Sequence, residues 1–271
     1  MKTSVILSFY NKIDWLKLVL AGYSRQSFKE FEIIIADDGS ASHVVDEIIA
    51  IKDSYPFKIK HVWHEDIGWN KNAILNKAIL AAESDYIIFN DADCIPHRHF
   101  VKEHFINKLT DTVLAGRRVN LSAELTSKLT PEMVKKGYME RRGFLKTFLT
   151  FEKHSENGIY VRTSFLRKKI NKKDKGILGS NFSLHKQMLL NINGFDERYT
   201  LPAIGEDTDL EARLRNYGYK VKPVKHLAIQ YHLFHKTLPR DEKFRSILED
   251  HIKNKIYWTE YGLTKTGKDT I

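Results

Sequence analysis

Asp91 and Asp93 stand one residue apart at the end of "YIIFNDAD", where a short apolar run of Tyr86, Ile87, Ile88 and Phe89 stops. Two carboxylates that close repel each other unless a cation joins them. Oxygen donors of this kind suit Mg²⁺ or Mn²⁺, which in turn bridge phosphate oxygens. A second acidic pair, Asp37-Asp38, follows the run "FEIIIA" and is followed by Gly39, which permits a tight turn. A carboxylate there can accept hydrogen bonds from a base or a ribose. A third group, "GEDTDLEARL", sets Glu206 and Asp207 at the start of a helical period, and "AIQYHLFH" supplies His232 and His235. Taken singly, each has a plain alternative: a turn, acidic residues that complement a helix dipole, or histidines satisfied by backbone groups.

These residues need elements to hold them. The runs at 4–10, 31–40, 58–64, 86–93 and 112–118 have the composition of strands, and "WNKNAILNKAILAAES" between two of them has helical periodicity. There Ile74, Leu75, Ala78, Ile79 and Ala82 fall on one face. Strand and helix in alternation predict a mainly parallel sheet flanked by helices. Open sheets of that kind bind ligands beyond the carboxyl ends of their strands, where the acidic residues stand. Residues 119 to about 176 read as helical and basic, with a helix start at Thr130-Pro131. After them come a strand and short helix in "GSNFSLHKQMLLNINGFDERY", then a second helix and strand, with Leu210, Leu214 and Tyr217 on the helical period and Gly218 as its C-cap. A charged amphipathic helix is expected from about 239. The expected organisation is one composite domain over 1–238, in two parts at 1–118 and 119–238, and a helical tail over 239–271.

Composition narrows the function. The chain has 271 residues, 42% of them hydrophobic, which suits a globular core. No apolar run approaches the roughly 18 residues of a membrane helix. "MKTSVILSFYNKIDWL" reads as a first buried strand, so a cytoplasmic protein is expected. Cys94 is the single cysteine, which excludes an internal disulfide, and it reads as a packing residue. The net charge of +10, concentrated in "KKGYMERRGFLK" and "RTSFLRKKINKKDKG", suits polyanions or peripheral contact with an anionic membrane surface. No GxGxxG follows the first strand, and "TGKDT" lacks the upstream glycine and following Ser/Thr of a phosphate loop.

Together and in order, these motifs resemble the family 2 glycosyltransferases of the GT-A fold, over residues 3 to about 238. "VILSFYNK" is similar to the family's first strand and nucleotide-contacting loop, which implies nucleotide-side roles for Ser8, Phe9, Tyr10 and Asn11. "IIIADDGS" resembles its uridine-binding segment, implying Asp38 and Gly39. "HEDIGWNKNAILNKAI" implies Asp66, Gly68 and Asn76, although Leu75 stands where the family often has an arginine. "NDADC" resembles the D-x-D motif, implying Asn90, Asp91 and Ala92 beside the sugar nucleotide and Asp91 and Asp93 on the metal. "GSNFSLHK" resembles the loop lining the sugar pocket, implying Gly179, Ser180 and Asn181. "GEDTDLEARL" resembles the Glu-Asp motif, implying Asp207 as catalytic base and Glu206 on a sugar hydroxyl. The last two segments are similar to the branch sharing a C-terminal part with galactosyl- and N-acetylgalactosaminyltransferases, where a late histidine completes the metal site: His232, with His235 as alternative.

The resemblance implies a Mn²⁺- or Mg²⁺-dependent, inverting transfer of a hexose or N-acetylhexosamine from a UDP-sugar to a glycan or lipid-linked glycan, without nucleic acid as a partner. Two rivals remain at this level. A sugar-nucleotide nucleotidyltransferase would carry a glycine-rich basic loop where "FYNKIDWL" stands. A nucleic-acid-binding module would interleave basic and aromatic residues on one face, whereas here the basic stretches lie apart from the acidic ones.

Overall fold

The computed structural model describes residues 1–140, 155–161, 163, 165, 171, 176–201, 206–236 and 242–264. Most of the two basic stretches, and the terminal "TGKDT", lie outside these residues. In chain order the strands are β1 (Thr3–Phe9), β2 (Phe31–Asp37), β3 (Lys58–Trp63), β4 (Tyr86–Asp91), β5 (Cys94–Pro96), β6 (Thr112–Ala115), β7 (Arg117–Asn120), β8 (Asn181–His185), β9 (Lys220–Pro223) and β10 (Ile229–His232). The helices are α1 (Ile13–Ser24), α2 (Ser42–Ile51), α3 (Lys71–Ala81), α4 (Phe100–Ile106), α5 (Ala123–Lys128), α6 (Pro131–Lys135), α7 (Lys186–Asn191), α8 (Glu206–Tyr217) and α9 (Arg245–Lys253).

The large sheet has the order β3-β2-β1-β4-β8-β6-β9. Its first four strands are mutually parallel, and β8 runs antiparallel between β4 and β6. The central strands are continuous apolar runs because both faces are covered. Successive residues serve opposite cores: Val5, Leu7, Ile33, Ile35 and Ile88 pack with α1, while Ile6, Ile34, Ile87 and Phe89 pack with Ile74 and Ile79 of α3. The expected apolar face of α3 is buried throughout.

Two expectations are corrected. The run at 112–118 is not one strand. Gly116 divides β6 from β7 because the chain passes so close to Asn181 that a β-carbon would lie 2.1 Å from Oδ1. The chain there leaves the large sheet for a second one, β5-β10-β7, whose strands of three or four residues are too short for a periodic signal. Tyr217, expected on the buried face of α8, is 42% exposed and stacks on Tyr219 at 4.8 Å. The start at Thr130-Pro131 is present, with the Thr130 hydroxyl accepting from the Met133 N–H. Gly218 closes α8 with φ +110°. Beyond it, α9 fastens to α8 through a buried pair, His251 Nδ1 lying 2.5 Å from Asp209 Oδ1, while Arg213 holds the other oxygen at 2.8 Å. No helix among the described residues is long and apolar enough to cross a membrane.

One core group sets an acid limit on stability. His104 of α4 is buried between Ser183 Oγ (2.8 Å from Nδ1) and Asn181 Oδ1 (3.0 Å from Nε2). Burial pushes its imidazole down to about 3, against about 6.5 in an unfolded chain. The unfolded state therefore takes up the proton first as pH falls. This contribution to stability is complete above about pH 6.5 and shrinks by up to about 1.4 kcal/mol per pH unit below it. His97, pushed by burial to about 4, acts in the same direction. Urea midpoints measured from pH 7 to pH 4.5 are expected to fall steeply, and His104→Gln to flatten that slope.

Candidate active site

The carboxyl ends of the parallel strands open into a cleft of about 590 Å³. Register decides what meets there. Ser8 of β1 sits opposite Ala36 of β2 and Asp91 of β4, so three neighbouring strands bring residues of their carboxyl ends to one place. Gly39 (φ +89°) turns the chain after β2, and a β-carbon on it would lie 2.6 Å from Asp66 Cα. Only glycine lets the loop after β3 close over this turn.

At this end of the cleft, Asp38 accepts from the Asn70 N–H at 3.0 Å and lies 2.7 Å from His64 Nε2. Burial raises its carboxyl above the usual range, and those two contacts oppose the rise. Tyr10 donates to Asp66 at 2.9 Å and the Gly68 N–H donates to it at 3.0 Å. The Gly68 N–H is the larger influence holding the Asp66 carboxyl low, and Asp66 in turn pushes the Tyr10 phenol up. Phe9, Gly68 and Trp69 also line the cleft. The Trp69 indole N–H is buried and has no hydrogen-bond partner among the described residues. Trp63, at the end of β3, is 45% exposed and its indole N–H donates to the Ser40 carbonyl at 3.1 Å. Asn11 (φ 53°) braces the first loop from behind, accepting from the Ala41 N–H at 2.9 Å.

The second sheet builds the opposite wall. β10 pairs with β5 so that His232 stands across from Cys94, and the Leu233 N–H donates to the Asp93 carbonyl at 2.8 Å. That pairing carries His232 Nε2 to 3.4 Å and His235 Nε2 to 3.2 Å from Asp93 Oδ2. The two imidazole nitrogens lie 3.1 Å apart. His235 Nδ1 is 2.9 Å from the Lys236 carbonyl, which assigns the ring proton of a neutral His235 to Nδ1 and leaves Nε2 with a lone pair. One carboxylate oxygen and two imidazole nitrogens facing one point are a donor set that suits a divalent first-row cation. Burial alone would raise the Asp93 carboxyl, but the two histidines hold it well below the usual range, and Asp93 raises His235. Cys94 donates to Asp93 at 3.1 Å, its buried thiol pushed up, which fits a packing residue.

The two aspartates of the opening motif do not share one partner. Asp91 turns the other way, accepting from Ser8 Oγ at 2.5 Å and lying 3.5 Å from Lys71 Nζ. It is not in the group of Asp93, Cys94 and His232 whose donor atoms lie within 4.8 Å of one another. Asn90 shapes the bend between them, its amide donating to Tyr23 Oη and the Cys94 carbonyl. Ala92 lines the cleft and donates its N–H to the Ser8 carbonyl.

An inner recess runs from Asp91 and Lys71 to Gly179, Glu206 and Asp207. Lys71, at the first turn of α3, donates to Glu206 at 2.9 Å and so ties the α8 N-terminus to the tip of β4. Burial would lower its ammonium, but Asp91, Glu206 and Asp207 push it well above the usual lysine range. Asp207 accepts from the Gly179 N–H at 3.1 Å. Ser180 is buried, accepting from Gln230 at 2.9 Å. Two expected contact residues sit elsewhere. Asn76 brackets the 195–197 loop, donating to the Phe195 carbonyl at 2.9 Å and accepting its N–H at 2.9 Å. Asn181 is fully buried and donates to the Arg117 and Ala228 carbonyls. Their amides are spent on the scaffold.

Lys71, Trp15 and Arg118 line the cleft and were not anticipated. A lysine opening a helix reads as a solvated charge, and nothing local in the sequence shows that it faces two carboxylates. Lys71→Met is expected to cost about 2 kcal/mol, because it strands two largely buried carboxylates. Thermal unfolding at neutral pH measures this, with Lys71→Arg retaining most of the stability.

A large mixed sheet flanked by helices, with acidic residues at the carboxyl ends of its parallel strands, is the GT-A form of an α/β protein. Residues 4–173 match the model of glycosyl transferase family 2, and residues 161–236 match that of the N-terminal domain of galactosyltransferase. The chain belongs to glycosyl transferase family 2. It is similar to chondroitin synthase of Escherichia coli, 26% identical over 250 residues, 84% of this chain and 34% of that protein, so it spans about a third of that relative's length. In fold it resembles S. aureus TarS 1-349 in complex with UDP-GlcNAc, with a TM-score of 0.57 and 15% identity, covering 94% of this chain and 66% of that one. It also resembles the mannosyltransferase PcManGT from Pyrobaculum calidifontis in complex with GDP-Man and Mn²⁺, with a TM-score of 0.58 and 14% identity, covering 93% and 69%.

Proposed function

We propose that this chain is the catalytic unit of an inverting glycosyltransferase that moves a hexose or N-acetylhexosamine from a UDP-sugar to a hydroxyl of a glycan or lipid-linked glycan. One observation carries this reading: the cleft lined by Asp93, His232 and His235 shares Ser8, Lys71 and Asp91 with a small recess lined by Glu206 and Asp207. That adjacency suits a substrate whose diphosphate and reacting carbon are neighbours. The complexes of the fold relatives with UDP-GlcNAc and with GDP-Man and Mn²⁺ support the substrate class. The similarity to a chondroitin synthase supports a polysaccharide acceptor.

Asp93, His232 and His235 would hold the divalent ion, with Asp91 beside the sugar nucleotide. When bound, such an ion supplies Lewis-acid stabilisation of the charge that develops on the leaving diphosphate. Asp38 and Asp66 face the nucleoside end. Asp207, oriented by the Gly179 N–H, takes the proton of the acceptor hydroxyl as that oxygen bonds to the anomeric carbon. The bond from that carbon to the diphosphate oxygen breaks on the opposite face, releasing UDP. Asp207, held by the Gly179 N–H, acts mainly by position. Glu206, held by Lys71, faces the sugar hydroxyls. Release of UDP from a panel of UDP-sugars, with and without Mn²⁺, tests the reading. Mn²⁺-dependent turnover of at least one is expected, and failure of every UDP-sugar to bind would refute it.

A further inference from the structure

The inner recess of the cleft carries an uneven charge. Its described lining includes three carboxylates, Asp91, Glu206 and Asp207, and Lys71 is the only cation among them. The ammonium is already committed, at 2.9 Å from Glu206 and 3.5 Å from Asp91. Asp207 has no cation within salt-bridge distance among the described residues; its contacts are the Gly179 N–H and, at 3.4 Å, the Thr208 hydroxyl. Among the described residues, three negative charges against one positive leave this end net negative. The basic side chains Lys12, Arg118 and Lys236 line the outer cleft instead, and none of them reaches the recess.

The position of the sugar follows from the functional reading above, on which this inference rests. If the diphosphate sits by Asp93, His232 and His235 and the acceptor oxygen by Asp207, the sugar ring must lie between them. It then lies over Asp91, Lys71 and Glu206.

We infer that this recess is an electrostatic filter: the donor sugar is uncharged, and a sugar bearing its own carboxylate, such as a uronic acid, is rejected. A fourth anion in a partly desolvated recess would find no unpaired cation among the described lining residues, and like charges at such distances repel strongly when water is excluded. Lys71 is the positioning residue of the filter. By neutralising part of the charge it holds Glu206 and Asp91 ready for neutral hydroxyl or N-acetyl groups, with none left for a carboxylate.

The test compares two pairs of donors that differ only at C6, UDP-glucose with UDP-glucuronate and UDP-galactose with UDP-galacturonate. Binding to the full chain is measured by calorimetry with Mn²⁺, with UDP alone as reference. In the better-bound pair, the uronate is expected to bind about tenfold or more weakly than its neutral partner. Glu206→Gln removes one negative charge and is expected to narrow that ratio, as is added salt. A uronate bound as tightly as its neutral partner, or a ratio that neither salt nor Glu206→Gln changes, would overturn the filter while UDP binding left the functional reading standing. If UDP itself fails to bind, the functional reading falls and the filter with it.

Discussion

Asp93→Ala is expected to abolish Mn²⁺-dependent binding of UDP, weakening it by about a hundredfold or more, or about 2.7 kcal/mol. The reason lies in the second sheet. β10 and β5 bring one carboxylate oxygen and two imidazole nitrogens to a common point, and Asp93 is the only charged member of that set. Without it, two neutral imidazoles remain 3.1 Å apart, a weak site for a hard divalent ion. His232→Ala is expected to act in the same direction with a smaller effect. The fold does not depend on this side chain, whose partners are the two histidines and the Cys94 thiol, so the melting temperature serves as control. Calorimetric titration of UDP with and without Mn²⁺ reads the result. Unchanged Mn²⁺-dependent affinity in a folded variant would remove Asp93 from the metal site.

Asp207→Asn separates chemistry from binding. Asparagine keeps an oxygen to accept the Gly179 N–H that orients the side chain, so UDP affinity should stay within about twofold of the parent. The amide cannot take up the acceptor proton, and transfer is expected to fall by about 10² to 10⁴-fold. Single-turnover transfer at saturating donor measures this. Near-normal turnover would assign the base elsewhere.

How far the sequence led differs from residue to residue. The parallel sheet was legible because β1, β2 and β4 are apolar without alternation, as strands covered on both faces must be. Asp38 and Asp93 were legible because a carboxylate at the end of such a run is costly unless something binds it. The second sheet was hidden. Three or four residues carry no period, and the pairing of His232 with Cys94 joins segments more than a hundred residues apart. Lys71 was hidden for a related reason, since its partners come from β4 and α8 and no local pattern points to either. Asn76 and Asn181 show the reverse case. Asparagine inside a motif suggests a ligand contact, yet burial forces both amides to satisfy nearby backbone groups, as buried polar groups must.

The expectation that Asp91 and Asp93 jointly bind a cation is the one the geometry changes most. Lys71 and Ser8 draw Asp91 toward the recess, and the histidines draw Asp93 toward the second sheet. A D-x-D spacing on an extended strand would point both side chains the same way. The turn at Ala92–Asp93 breaks that alternation, and it is held by the Asn90 amide and the Ala92 N–H.

The most direct measurement is a crystal of the full chain grown with UDP and Mn²⁺ and recorded at the manganese absorption edge. The expected result is one anomalous peak within bonding distance of Asp93 and His232, touching the diphosphate, with the uridine beside Asp38. A diphosphate held in the cleft by Lys12, Arg118 or Lys236 with no manganese beside it, or a uridine diphosphate bound outside the cleft, would contradict it.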